Sequence, residues 1–531
     1  MSGDTVHWAD FTAERIIGQK GKNKGSEDTY VLASGITPSG VVHFGNFRET
    51  ITTDFIARAL KEKGKKVRFI FSWDDYDTFR KIPANMPKQD ELKNYLFRPI
   101  VHTPDPFGEH ESYAAHHEKN YEGQLKKVGV EVEAIYQAKM YQSGKYKDSI
   151  KTTLEKKDII TTILNKHRSD PLPSSWLPIS IYCEKCDRDD IDQISWDHKS
   201  TLNYTCNLCK YQGSENIDTS CRIKLPWRMD WPMRWTYEKV DFEPGGKDHS
   251  SQGGSYTTAK EIVGQVYGGD VPVYLQYDFV SIKGMGGKMS SSKGNLVTVN
   301  DVLEIYTPQM VRWIFASYKP NIDFGLSFDL DVIKNYEDFD RQEKLAFEGD
   351  PNDKKVQMAK RVMSLASLDG KITQSAFRPS FRHLCNILQI NDGDIEKSMD
   401  YYKNDIKSEL DKEEFRERSK RAWFWIDNYA PEDFRYRLNN KAPAITLNEK
   451  ERSFITQLQN HLEKHFSDYK DEKSMHEKIY ELINNIPDFT PPEAFTLMYR
   501  LLINKEKGPK LAAFLLSIGK DKTLNLLRSV L

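Results

Sequence analysis

Short apolar runs and helix-period stripes alternate through the first part of the chain. Tyr30 to Ala33 is an apolar run closed by serine, glycine and proline. From His43 onward Phe47, Ile51, Phe55, Ala59 and Leu60 recur near a 3.6-residue period, and Val67 to Phe71 is a second apolar run beyond Gly64-Lys65-Lys66. This pattern predicts strand, turn, amphipathic helix and strand, a βαβ unit. Such a unit holds ligands at the carboxyl ends of its strands, where Gly35 to His43 and Ser72 to Asp77 lie. No G-x-G-x-x-G follows the first strand and the chain has no G-x-x-x-x-G-K-[ST], so neither the dinucleotide fingerprint nor a P-loop is present.

Several short helical patterns follow from about 105. Near 226 the stripe "PWRMDWPMRW" puts Trp227, Trp231 and Trp235 within nine residues, beside the short-side-chain run "GGKDHSSQGGS" around Asp248 and His249. The stripe reads as core or as a ligand platform, and the polar run beside it weighs toward the platform. A start signal at Asn300 predicts a helix to about Ser317. Beyond about 350 the periodicity predicts helices over Lys355 to Leu365, Phe381 to Leu388, Asp411 to Tyr429, Asn448 to Phe466 and His476 to Ile486, with strand signals nearly gone. This is a separate helical domain, bordered by Gly349 to Asn352.

At 531 residues the chain exceeds what one hydrophobic core usually serves, and 38% hydrophobic with 29% charged residues suits an ordered, soluble protein. The 77 basic and 78 acidic residues exclude a uniformly basic footprint, so any nucleic-acid surface is local. No apolar run is long enough for a signal peptide or a membrane span, and a cytoplasmic location is expected.

Four of the six cysteines form two pairs, Cys183/Cys186 and Cys206/Cys209, with 19 residues between the pairs. Each pair can ligate one ion from a tight knuckle, and two knuckles complete a tetrahedral Zn2+ shell with no open position, which points to structure rather than catalysis. Cys221, 12 residues past Cys209, is an alternative fourth ligand.

The run "GGKMSSSKGN" carries Lys288 and Lys293 among serines and glycines. It reads as a solvated turn or as a loop that closes on phosphates. Together with a helix N-terminus at His43 it can hold a triphosphate, and neither segment supplies an obvious nucleophile or general base.

His43-Phe44-Gly45-Asn46 resembles the first signature of class I aminoacyl-tRNA synthetases, and Lys288-Met289-Ser290-Ser291-Ser292-Lys293-Gly294 resembles the second. The segments "SWDDYDTFRK", "WRMDWPMRW" and "FEPGGKDHSSQGGS", the zinc knuckles and the helical second half resemble the class I lysyl-tRNA synthetase family. The resemblance implies an α/β fold: a Rossmann-like catalytic domain (1–104 and 226–299), an inserted acceptor-binding region with zinc knuckles (105–225), a helical connecting region (300–349) and an α-helical anticodon-binding domain (350–531). It implies ATP-dependent attachment of L-lysine to tRNA(Lys) through lysyl-adenylate, with Mg2+ accompanying ATP and a structural Zn2+; no membrane contact is expected from the sequence, which leaves the oligomeric state open with a monomer as one expectation. Catalysis then falls to His43, Asn46, Lys288 and Lys293. ATP falls to Pro38, Gly40, His43, Gly45, Asn46 and Lys288, Met289, Ser290, Ser291, Ser292, Lys293. The amino acid falls to Gly35, Thr37, Asp74, Trp231, His249 and Tyr277, with Asp74 on the α-ammonium. Asn46 stands where many class members have a second histidine; it donates a hydrogen bond but carries no charge. A glutamate- or glutamine-activating enzyme and a non-catalytic tRNA-binding relative are the rival readings. Lys505, Lys507 and Lys510 in the last part of the chain are candidates to meet tRNA phosphates.

Overall fold

The computed structural model describes residues 5–25, 28–251, 253–283, 296–371, 377–439, 441, 444–469 and 471–531. The chain forms two compact units: Met1–Leu303 with Pro308–Leu326 and Gln342–Thr373, and Glu304–Thr307 with Ser327–Arg341 and Gln374–Leu531.

The first unit is built on a parallel sheet. Strand β1 (Thr29–Ile36) crosses through the helix Phe44–Glu62 to β2 (Lys66–Trp73), and the chain then passes through the helix Tyr113–Lys127 to β3 (Glu133–Tyr136). β1 and β2 pair from Thr29↔Lys66 to Ile36↔Trp73. A parallel strand is covered on both faces, so it reads as a continuous apolar run, and Tyr30 to Ala33 are all buried. The helix between them ends where Gly64 takes φ +73°, a left-handed turn that glycine adopts without a Cβ penalty.

After β3 an insertion holds the short pair β4 (Ser180–Ile181) and β8 (Ile223–Lys224) and an antiparallel sheet of β5 (Ile191–Trp196), β6 (Thr201–Cys206) and β7 (Gln212–Asn216). The parallel sheet takes 133–136 as its third strand, so the insertion begins after it and not at 105. The chain returns through the helix Trp227–Tyr237 to β9 (Phe242–Gly246) and, after the helix Ser255–Gln265, β10 (Val273–Tyr277). The sheet order is β10-β9-β1-β2-β3. Winding runs outward from β1 in both directions, and the switch point between β1 and β9 opens a crevice at the carboxyl ends of the strands. Two further short strands, β11 (Val280–Ile282) and β12 (Phe324–Leu326), pair in parallel.

Two features tie distant segments to this core. Arg48, on the helix after β1, donates to the carbonyls of Phe279 at 3.0 Å, Lys319 at 3.0 Å and Ile322 at 2.6 Å. Arg312, fully buried, pairs with Asp54 at 2.6 Å and donates to the carbonyls of Leu365 and Val128. The second contact explains why the helix Lys354–Ala366 packs with the first unit although its sequence texture matches the helical half. The helix expected from Asn300 to Ser317 is two, Val299–Leu303 and Pro308–Ser317, because Pro308 lacks the N–H that an unbroken helix needs and instead opens a new one.

The second unit is helical among its described residues. Phe381–Ile390, Glu409–Asn428, Glu449–His465 and Glu472–Asn484 match the expected helices within a few residues, and Ile395–Asp400, Pro491–Ile503, Leu511–Ile518 and Lys520–Arg528 are further helices of the unit. No described helix is long and apolar enough to cross a membrane.

Candidate active site

A cavity of about 470 Å³ opens at the carboxyl ends of the strands. Gly35, Thr37, Gly40, His43, Asn46, Asp74, His249 and Tyr277 all line it, joined by Asp77 and Trp227, from the strand end and the aromatic stripe, and by Glu49, Thr50 and Tyr121, which the sequence did not single out. Pro38 is buried beside this lining, and Gly45 lies in the turn behind His43. Trp231 is only 3% exposed and packs in the core with Val31, Ala33 and Ile70. Its ring carries the Trp227 ring stacked on it at 5.1 Å, and Trp227 is the aromatic face on the cavity. Lys288, Met289, Ser290, Ser291, Ser292 and Lys293 lie outside the described residues.

His43 and Asn46 cap the helix that follows β1. Gly45 N–H donates to His43 Nδ1 at 3.1 Å, and His43 N–H donates to Asn46 Oδ1 at 3.1 Å, a reciprocal box. A ring nitrogen that accepts cannot carry the proton, so the neutral imidazole bears its hydrogen on Nε2. Asn46, its oxygen committed, keeps the amide NH2 as donor. The helix N-terminus itself offers less than its sequence suggests. Phe44 N–H is spent on the Val297 carbonyl at 2.7 Å, Gly45 N–H on His43, and Asn46 N–H on the His43 carbonyl at 2.9 Å. Anion contact at this turn therefore falls to side chains. The Phe44–Val297 bond also sets the residues just past 295 beside His43.

The remaining walls are rich in carboxylates. Asp74 accepts from Arg234 at 2.7 Å, Arg234 also pairs with Asp230 at 3.0 Å, and Tyr141 donates to Asp230. Asp77 pairs with Lys224 and accepts from the Thr37 hydroxyl at 3.0 Å. Burial pushes the Asp74 carboxyl up to about 7 against the pull of Arg234. Glu49 differs from both. Its carboxylate accepts from Tyr277 Oη at 2.6 Å and from Gly35 N–H at 3.0 Å, and among the described residues it has no cationic partner. The surrounding protein pushes it up to about 7, although its edge remains accessible from the cavity. Gly35 is needed here, since a Cβ would sit 2.6 Å from the Ser72 carbonyl oxygen. His249 Nδ1 meets Ser255 Oγ at 3.1 Å, and Asp278 pairs with Lys247 at 3.2 Å.

The four cysteines of the insertion converge. Cys183 and Cys209 sulfurs are 3.6 Å apart, as are those of Cys186 and Cys206, and all four lie within 4.8 Å of one another. A tetrahedron of Zn–S bonds of about 2.3 Å has edges of roughly 3.8 Å, so the thiolates fit Zn2+. The knuckles repeat one design. Cys183 N–H donates to the Arg188 carbonyl and Cys206 N–H to that of Tyr211, while Asp187 and Lys210, each following the second cysteine, take φ of 60° and 58°. Cys221 is exposed and outside the group. Cys206→Ser should lose one equivalent of zinc relative to the unmodified chain by metal analysis, and full zinc content would contradict the site.

A second group of ligand-type atoms joins Glu109, His110 and His116 within 4.8 Å. Asp105 stands beside it, 3.4 Å from His116 Nδ1, and accepts the N–H groups of Phe107, Glu109 and His110. The signal was present as Asp-x3-Glu-His-x5-His, but a loop lacking cysteines draws less notice. Nitrogen and carboxylate donors of this kind suit a divalent metal.

The family model of tRNA synthetases class I (K) matches residues 6–369. A lysine–tRNA ligase of Borreliella burgdorferi is 45% identical over 522 residues, covering 98% of each chain. One of Treponema pallidum is 41% identical over 523 residues, covering 98% of this chain and 97% of its own. One of Pyrococcus horikoshii is 38% identical over 544 residues, covering 98% and 99%. The chain belongs to the class I (K) family of tRNA synthetases.

Proposed function

We propose that the protein activates L-lysine with ATP and attaches it to tRNA(Lys). A lysine carboxylate oxygen attacks the α-phosphorus of ATP, the bond to the β-phosphate oxygen breaks, and lysyl-adenylate and pyrophosphate form. The 2'-hydroxyl of the terminal ribose of the tRNA then attacks the lysyl carbonyl, and AMP leaves. No enzyme nucleophile takes part; the protein orients the reactants and stabilises charge. His43 through Nε2–H and Asn46 through its amide donate to the phosphates, with Lys288 and Lys293 neutralising the charge that shifts onto pyrophosphate. Mg2+ enters with ATP.

Glu49 is the observation that carries the lysine reading. A carboxylate with no cation partner among the described residues, held between Tyr277 and Gly35, suits an incoming ammonium, which otherwise enters a cavity only at a desolvation cost. Glu49 takes the ε-ammonium, Asp74 the α-ammonium, and Trp227 and Tyr277 flank the four-carbon chain. A glutamate side chain in the same place would meet like charge, and glutamine would leave the carboxylate unmatched. Pyrophosphate exchange in the presence of tRNA(Lys), run with lysine, glutamate and glutamine, tests the assignment. Lysine should support exchange and the other two should not; exchange with glutamate would overturn it. The helical unit binds the anticodon arm of the tRNA, and the zinc-bearing insertion binds its acceptor end.

A further inference from the structure

Arg234 sits on the helix Trp227–Tyr237 with its side chain only 8% exposed. Its Nη1 donates to Asp74 Oδ1 at 2.7 Å, and its Nε pairs with Asp230, one turn back on the same helix, at 3.0 Å. The carbon of the same guanidinium lies 5.3 Å from the centre of the Trp227 ring. Asp74 and Trp227 both line the cavity at the strand ends, so one planar cation holds two of its walls. Asp230 is fixed in turn by the Tyr141 hydroxyl, and Tyr141 Oη accepts the Leu225 N–H at 3.2 Å. A lysine in this place would offer a single point charge on a flexible stem, which cannot meet two acids and a ring face together.

We propose that Arg234 is the positioning residue of the amino-acid site: it holds the Asp74 carboxylate where the α-ammonium arrives and braces Trp227 along the carbon chain. This role rests on the assignment of Asp74 to the α-ammonium. A carboxylate enclosed by protein stays charged only beside a partner. The charged groups around Asp74 are Arg234 and Asp230 from the helix, Asp77 of its own segment, Lys224 of β8 paired with that Asp77, and Glu49 from the helix after β1. Glu243 and Tyr146 are further titratable groups near Arg234. Burial pushes the Asp74 carboxyl up to about 7; among its neighbours Arg234 acts most strongly the other way, while Asp77 and Asp230 add to the push. Arg234 therefore decides whether the acid is ionised when the amino acid enters, and Asp230, which shares the guanidinium, works against it.

The test is competition against lysine in pyrophosphate exchange by the full chain with tRNA(Lys) present, using two partial copies of the substrate. L-norleucine has the α-ammonium and no terminal amine; 6-aminohexanoate has the terminal ammonium and no α-amine. Asp230→Asn/Arg234→Met removes the cation together with an acid it would strand. It should weaken norleucine at least tenfold at pH 7 and move the pH at which its inhibition constant levels off up by about one to two units. The inhibition constant of 6-aminohexanoate and the KM for ATP should stay within about threefold. Asp230→Asn alone keeps Arg234, whose Nε meets the amide oxygen while the amide NH2 turns to Tyr141 Oη, and removes the opposing charge. It should act in reverse, tightening norleucine about threefold at pH 6 and moving the profile down. Arg234→Lys should restore most of the pH profile of the unmodified chain yet bind norleucine severalfold more weakly than it does. Equal weakening of both inhibitors at every pH, or an unmoved norleucine profile in the double variant, would mark Arg234 as packing alone and overturn the proposal. Should the double variant fail to fold, Asp230→Asn decides, and a profile that stays in place or moves up overturns it. An Asp74→Asn chain that binds norleucine with unchanged affinity would overturn it through the assignment beneath, while lysine-dependent exchange by the unmodified chain still upheld the enzyme reading. Exchange with glutamate in place of lysine would remove both.

Discussion

Glu49→Gln raises the KM for lysine by about 100-fold or more in tRNA charging and leaves the KM for ATP within about threefold. The side chains are nearly the same size; the amide oxygen can keep the Gly35 N–H, and the Tyr277 hydroxyl, which can rotate, can accept from the amide NH2, so the main change is the lost charge. Breaking one partner of an enclosed ion pair costs about 3–5 kcal/mol, which sets the magnitude. The pH dependence adds a second signature. Glu49 titrates at about 7 in the unliganded cavity because desolvation by the surrounding protein favours its neutral form. An ammonium needs the ionised form, so below that value binding must release a proton, and the Glu49 share of the fall in the KM for lysine from pH 6 to 8 should be about tenfold. The amide that Glu49→Gln puts in its place has no proton to release, so that variant loses the Glu49 share of the slope and keeps only the share of Asp74, whose carboxyl burial also pushes up to about 7. The sign reverses for the unliganded fold. A carboxyl whose folded pKa lies above its unfolded one favours the fold at low pH, so the Glu49 contribution to stability is lost as pH rises from about 4 through 7. Lysine should therefore raise the melting temperature more at pH 8 than at pH 6. A variant that keeps both the wild-type KM and the wild-type pH profile would exclude Glu49 from the lysine site.

Lys293→Ala depresses single-turnover adenylate formation by roughly 100-fold or more while altering ATP affinity much less, since its charge matters most when pyrophosphate begins to leave. An unchanged single-turnover rate would remove it from the chemistry. His43 makes a less direct test of phosphate stabilisation. Its Nδ1 caps the helix that carries Asn46 and Glu49, so His43→Ala joins a lost donor to a lost cap of about 1 kcal/mol. His43→Asn retains a capping side chain, and comparison of the two variants in melting temperature and turnover separates the effects.

The apolar periods made the first βαβ unit and most helices of the second half legible, because burial on a defined face leaves its spacing in the sequence. The cysteine knuckles were equally plain, since their ligands are local. What escaped depends on contacts between distant segments. Glu49 reads as a charge on an amphipathic helix until Tyr277, more than two hundred positions away, closes over it. Trp227 and Trp231 are four residues apart on one helical stripe, and only the packing of β1 and β2 beneath them decides that Trp231 enters the core while Trp227 faces the cavity. The helix N-terminus at His43 looked open to an anion, but Val297 supplies a carbonyl from beyond the second signature and takes the first N–H. The border of the helical half shifted for a similar reason, because Arg312 claims the Leu365 carbonyl for the first unit.

Strand order in the sheet carries a consequence for synthesis on the ribosome. β1 finds its partner β2 as soon as residue 73 emerges, but its other edge waits for β9, which begins at Phe242. At about 5–20 residues per second the intervening stretch of about 170 residues leaves that edge open for roughly 8–34 s in every new chain. An open parallel edge of buried residues is a template for pairing with neighbouring nascent chains. The zinc knuckles fall inside this interval. Their ligands span only Cys183 to Cys209, so they can close on metal before β9 exists and shorten the free chain that must be drawn back to the sheet. Zinc starvation during expression would then show itself as aggregation of unfinished polypeptide on polysomes, ahead of any loss of activity in enzyme already made.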